Sequence, residues 1–125
     1  MTEYESLYTT AHLAGMEALA LARPRPMVVS KHKDMMDDTS PVEQEWYVEG
    51  GVCGFAWVNI KPGTSKLARA WKAAGYARKD SYYGGVTVWV REGGQSYERK
   101  MVYAQAFATV LRKAGYKAYS AGRLE

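Results

Sequence analysis

Residues 52–91 read VCGFAWVNIKPGTSKLARAWKAAGYARKDSYYGGVTVWVR, and the punctuation of this stretch decides the fold. Val52 to Ile60 is rich in β-branched and aromatic residues, as a strand is, and Pro62-Gly63 stops it. Thr64 or Ser65 then caps a helix to about Ala74, with Leu67, Trp71 and Ala74 inward and Gly75 as its C-terminal stop. Tyr76 to Tyr83 reads as a strand, Gly84-Gly85 as a turn, and Val86 to Arg91 as the hairpin partner. Downstream, Gly93-Gly94 breaks that strand and Ser96 caps a long helix to about Ala114. Tyr103, Ala106, Phe107, Val110 and Ala114 form its apolar stripe. Gly115 ends the helix, and Tyr116 to Ser120 is a last strand.

The order strand, helix, strand, strand, helix, strand is the split β-α-β-β-α-β, or ferredoxin-like, arrangement over about residues 52–121 of an α+β protein. Right-handed crossovers put both helices on one face of a four-stranded antiparallel sheet.

Upstream, residues 3–22 carry Leu7, Ala11, Ala14, Ala18 and Leu21 at helical spacing, with Thr2 as N-cap and Glu3 and Glu5 in the first turn. Arg23-Pro24-Arg25-Pro26 ends this helix. It either adds to the core or covers the sheet's other face. Residues 27–51 read as an acidic loop with short strands: Met27–Val29 is extended, 31–43 is an exposed loop, and Trp46–Val48 is extended and a candidate hairpin partner for the strand after it. The whole, 1–125, is one domain: an N-terminal helix (1–26), the acidic loop (27–51) and a basic α+β core (52–125).

Composition narrows the class. At 125 residues the chain is one domain's length, and 16 aromatic residues exclude a disordered chain. A lone cysteine, Cys53, excludes a disulfide scaffold, and its place between Val52 and Gly54 in a strand predicts a buried, inert thiol. No apolar run reaches membrane length and no signal-peptide pattern is present. His12 and His32 stand apart, and Cys53 has no companion at ligand spacing, so no metal site and no cofactor are expected. The net charge of +4 divides unevenly: residues 1–53 carry four bases and nine acids, residues 54–125 thirteen bases and four acids. A basic half attracts polyanions, unless the acidic half lies across it.

Alternation sorts the two central strands by face. Ala56, Val58 and Ile60, with Val86, Val88 and Val90, suit the helix side. Phe55, Trp57 and Asn59 then share the open face with Thr87, Trp89 and Arg91, bordered by Arg78 or Lys79. Such an aromatic, basic sheet face is how RNA-recognition modules stack bases and hold phosphates, although their basic-Gly-aromatic octamer is absent. The competing expectation is that these rings pack under the N-terminal helix or in a dimer interface.

Three further features bear on binding. Lys61-Pro62-Gly63-Thr64-Ser65-Lys66 puts bases and hydroxyls at a helix start, where an ordinary cap and an anion site look alike. Arg99 and Lys100 lie in the first turn of the last helix, where dipole reasoning prefers acids. Tyr82 and Tyr83 flank the Gly84-Gly85 turn.

The blocks YVEGGVCGFAWVNIKPG (47–63), ARKDSYYGGVTVWV (77–90), GGQSYERKMVYAQAFATVLRKAG (93–115) and KAYSAGRLE (117–125) together resemble a family of small proteins encoded by tailed bacteriophages. The resemblance runs from about Met27 to the C terminus. It implies a phage-encoded protein acting in the bacterial host cytoplasm or carried in the virion, and it implies no catalytic residue.

The leading expectation is a non-enzymatic binding protein for a nucleic acid or nucleotide. Its ligand-binding residues are Phe55, Trp57, Asn59, Trp89 and Arg91, with Lys61, Arg78, Lys79, Tyr82, Arg99 and Lys100. The alternatives are a module that binds a host protein (an inhibitor or counter-defence factor) or a virion component, and an enzyme acting on phosphoryl groups at Lys61–Lys66. A homo-oligomer is compatible with each, and none needs a membrane.

Overall fold

The computed structural model describes residues 2–22, 27–32, 42–48 and 53–124. The chain is an α+β protein. Its elements are α1 (Glu3–Leu21), β1 (Met27–His32), β2 (Val42–Val48), β3 (Gly54–Lys61), α2 (Lys66–Ala74), β4 (Arg78–Lys79), β5 (Val86–Trp89), α3 (Tyr97–Lys113) and β6 (Lys117–Leu124). Local chemistry sets the helix ends. Thr2 and Glu5 form a reciprocal capping box on α1. Ser65 and Ser96 accept from the Ala68 and Arg99 amides. Ser65 is thus the N-cap of the helix that starts in the Lys61–Lys66 stretch.

From β3 onward the strands form one antiparallel sheet in the order β4-β5-β3-β6. Ala56, Val58 and Ile60 join Val86, Val88 and Val90 in a single buried cluster with Leu67, Trp71, Phe107 and Leu111 of the helices. The alternation read from the sequence therefore holds in both central strands. β1 and β2 pair with each other, Met27 opposite Val48. Trp46–Val48 is thus not a hairpin partner of β3, whose two edges are taken by β5 and β6. The expected loop at 31–43 gives Lys31 and His32 to β1, and Val42 and Glu43 to β2; its centre, 33–41, lies outside the described residues.

α1 lies against α3 and α2, away from the open sheet face. Gly15 lets the Tyr103 ring approach so closely that a Cβ there would sit 2.5 Å from it. Tyr8 packs among Trp71, Tyr76 and Phe107, and the Trp71 indole N–H donates to the Tyr4 carbonyl at 2.9 Å. His12 Nδ1 and the Tyr103 hydroxyl are hydrogen-bonded at 2.6 Å. Burial, reinforced by the nearby Glu92 carboxylate, raises the pKa values of Tyr8 and Tyr103. The buried face of α1 is Ala11, Gly15 and Leu19, and Leu21, expected inside, is 72% exposed. α3 buries two sides, since it is packed between the sheet and α1. Lys100, Ala104, Ala108 and Leu111 join Tyr103 and Phe107 inside, whereas Ala114 is exposed. Ala74 of α2 is likewise exposed.

Candidate ligand-binding face

The face of the sheet opposite the helices is built row by row from the strand register. Ala121, Trp57 and Trp89 stand side by side across β6, β3 and β5. The next row holds Tyr119, Asn59, Thr87 and Arg78. Lys61 faces Lys117 at one end, and Arg123 faces Phe55 at the other. Trp57 is half-buried and Trp89 is 49% exposed, with ring centroids 5.2 Å apart. The rings therefore neither pack beneath α1 nor disappear into the core.

The loop between β4 and β5 folds over this face, and the sequence reading of it needs correction. Tyr76–Tyr83 is not a strand; β4 holds only Arg78 and Lys79. Asp80 ends it. One carboxylate oxygen accepts from the amides of Tyr82 and Tyr83 at 2.9 and 2.8 Å, and the other accepts from the Thr87 hydroxyl at 2.7 Å. Two amides that a ladder would have used are thereby taken into an Asx-type turn. Gly85, at φ +68°, closes the loop where any Cβ would collide with the Ile60 carbonyl oxygen. Asn59, buried, donates to the Gly84 carbonyl at 2.8 Å and holds the loop down. The result places the Tyr83 ring beside Trp57, at 28° and 6.4 Å between centroids, and Tyr82 edge-on to Tyr83.

Two hollows flank the Trp57–Tyr83 pair. One, of about 400 Å³, is lined by Trp57, Trp89, Thr87, Asp80, Tyr82, Tyr83 and Arg123. The other, of about 250 Å³, is lined by Trp57, Tyr83, Asn59, Lys61, Tyr119 and Ala121. Arg123 also lies over the Phe55 ring, 5.8 Å from its centroid. The charged groups of the face are mostly cationic, and its Asp80 carboxylate is occupied by its own turn.

Not every expected residue lines these two hollows. Arg78 and Arg91 line a separate cleft of about 150 Å³ along the outer edge of β5, with Tyr8, Tyr76 and Glu92. Lys79 stands opposite Val86 and so falls on the helix side of the sheet. Lys100 is buried: its ammonium donates to the Gly54 carbonyl at 3.1 Å and sits 5.4 Å from the centre of the Phe55 ring. Its unusual place in the first turn is explained by that contact. Arg99 lines neither hollow. Cys53 is exposed, not buried, because it precedes β3 and makes only an isolated bridge to Ser96 at the end of the sheet. Tyr83, singled out in the sequence only for its place beside the Gly84-Gly85 turn, contributes a ring, and Tyr119, Arg123 and Lys117 are the contributors that sequence reasoning missed. The last three alternate in β6, which extends to Leu124 instead of ending at Ser120, so sorting that strand by face would have found them.

The hydrogen bonds to Asp80, chiefly from the Tyr83 amide and then from the Thr87 hydroxyl, hold its pKa below the ordinary carboxylate value. A depressed folded-state pKa stabilises the loop fully above the unfolded value of about 3.9, and the contribution is lost as pH falls through the folded pKa. Asp80→Ala is expected to cost about 1–3 kcal/mol and to speed amide hydrogen exchange at Tyr82 and Tyr83 at neutral pH. In the unaltered protein, protection of the same two amides should persist at pH 5 and fall only in more acid solution. Protection unchanged in Asp80→Ala would show that the turn is held by something else.

Among the described residues no group of His, Cys, Asp and Glu could hold a metal ion, and no helix is long and apolar enough to cross a membrane. Comparison with protein-family models, curated proteins and solved structures finds no match to this chain.

Proposed function

We propose that this chain is a non-enzymatic binding protein whose open sheet face takes a nucleic acid or nucleotide, built on a ferredoxin-like core. The strand order β4-β5-β3-β6, with α2 and α3 as the connecting helices, supports that reading of the core. The observation that carries the function is the uncovered aromatic floor of Trp57, Trp89, Tyr83 and Tyr119 between Lys61 and Lys117 at one end and Arg123 at the other. Large apolar rings left in water are costly unless something covers them. Flat rings beside fixed cations match a ligand that is itself flat and anionic. The resemblance of its sequence blocks to tailed-phage proteins supports a phage-encoded protein acting in the host cytoplasm or carried in the virion.

The test is tryptophan fluorescence during addition of single-stranded oligonucleotides, duplex DNA and mononucleotides at several salt concentrations. Quenching is expected. If Lys61, Lys117 and Arg123 each neutralise one phosphate of a single strand, log K should fall with log salt at a slope of about −2. No quenching by any of these ligands would overturn the proposal.

A specific observation favours one second reading, a protein-binding module. β4 pairs only with Val86 and Thr87, so Val88 and Trp89 have no strand on their outer side among the described residues. An extended segment of a partner would add there, beside Arg78 and Arg91. Such an interface should survive Trp57→Ala and weaken on charge reversal at Arg78 and Arg91; the opposite pattern would exclude it.

A further inference from the structure

The two hollows bear on which nucleic acid fits, an inference that rests on the reading above. They share one wall, the Trp57–Tyr83 pair, and lie on opposite sides of β3: the larger over β5 with Trp89 and Thr87, the smaller toward β6 with Tyr119 and Ala121. Neighbouring strands are about 4.8 Å apart, so sites on either side of β3 are separated by roughly 5–10 Å. Successive stacked bases are only about 3.4 Å apart along a strand. Two neighbouring bases can occupy both hollows only if they are pulled out of their stack, with the Trp57–Tyr83 wall between them.

Volume and charge agree with this. Each hollow, at about 400 and 250 Å³, has room for one planar base. The larger has Arg123 at its rim, the smaller has Lys61, and Lys117 stands opposite Lys61. Lys61 lies six residues along β3 from Phe55, the partner of Arg123, so the cations mark the two ends of a path about 20 Å long. We infer that the natural ligand is a single strand, of RNA or DNA, bound through two adjacent, unstacked bases, one in each hollow, with its flanking phosphates at Arg123 and at Lys61 and Lys117. A duplex is excluded from this mode because its bases cannot part in this way without unpairing.

The experiment is a length series followed by tryptophan fluorescence: a mononucleotide, a dinucleotide, a tetranucleotide and a blunt two-stranded duplex, each as DNA and as RNA. The dinucleotide is expected to bind at least about tenfold tighter than the mononucleotide, and the tetranucleotide tighter again as both cation groups are reached. The blunt duplex should bind weakest of the oligomers. Tyr119→Ala, at a ring 53% exposed and outside the core, should abolish the roughly tenfold gain of the dinucleotide over the mononucleotide. A dinucleotide that binds no tighter than a mononucleotide, or a Tyr119→Ala protein that keeps the full gain, would overturn the two-base site while the nucleotide-binding face stands. Failure of every ligand to bind would remove both.

Discussion

Trp57→Ala is expected to weaken single-strand binding by about a hundredfold while the fold survives. Trp57, like Tyr83, lines both hollows, so its loss removes a stacking surface from two bases at once. Base–aromatic stacking contributes roughly 1–3 kcal/mol per base, and about 1.4 kcal/mol for each of two bases is a hundredfold in affinity. The ring lies opposite the helices, and the buried cluster of Val58, Ile60, Val88 and Phe107 does not include it. Its truncation should therefore cost only about 1–2 kcal/mol of stability through lost apolar burial. Trp57→Phe retains a flat ring and should recover most of the affinity. The measurement is a binding isotherm beside a thermal melt for each variant. Unchanged binding in a folded Trp57→Ala protein would rule out the open face as the site.

Trp71→Ala should have the opposite signature, a large loss of stability from a side chain far from the proposed ligand. Trp71 is 1% exposed, and its ring meets Tyr8 and Phe107 edge-on at 5.4 and 5.9 Å. Emptying a site of that size in a close-packed core costs about 3–5 kcal/mol. For a chain of this length that corresponds to a drop in Tm of roughly 10–20 °C. The indole also donates to the Tyr4 carbonyl, so it is one of the few links between α2 and α1. Proteolysis near residues 3–22 should accelerate in this variant, because α1 loses its packing against the Trp71 ring and its tether to α2, and is left mainly with its contacts to α3. Trp71→Phe keeps most of the volume and loses the hydrogen bond, and should cost about 1–2 kcal/mol. A melt unchanged in Trp71→Ala would mean that α1 is not docked as described.

Much of the architecture was legible because it rests on local chemistry. Serine before an apolar-periodic run, with glycine after it, marks a helix wherever it occurs; Ser65 with Gly75 and Ser96 with Gly115 are such pairs. Strand alternation is as local, which is why Trp57 and Trp89 could be assigned to one face before any partner was known. The failures share a different cause. β4 looked like a long strand because Tyr82 and Tyr83 favour strands, yet the Asp80 carboxylate takes their amides into a turn. Lys100 looked like an anion-binding base because nothing near it in sequence announces the Gly54 carbonyl, 46 positions away.

The covalent chain alone determined the α+β class, the helix boundaries and the two-sided character of β3 and β5, since caps and period-two alternation are properties of neighbouring residues. Which residues meet across the sheet was decided only by folding. Tyr119 and Arg123 reach the face through the register of β6 on β3, and Tyr83 reaches it through a loop held by Asp80, Asn59 and Gly85. The side of the sheet that α1 leaves uncovered was likewise undecided until Gly15 met Tyr103 and Trp71 met Tyr4. These are contacts between residues distant in sequence, and their free energy depends on shape complementarity that no local pattern encodes.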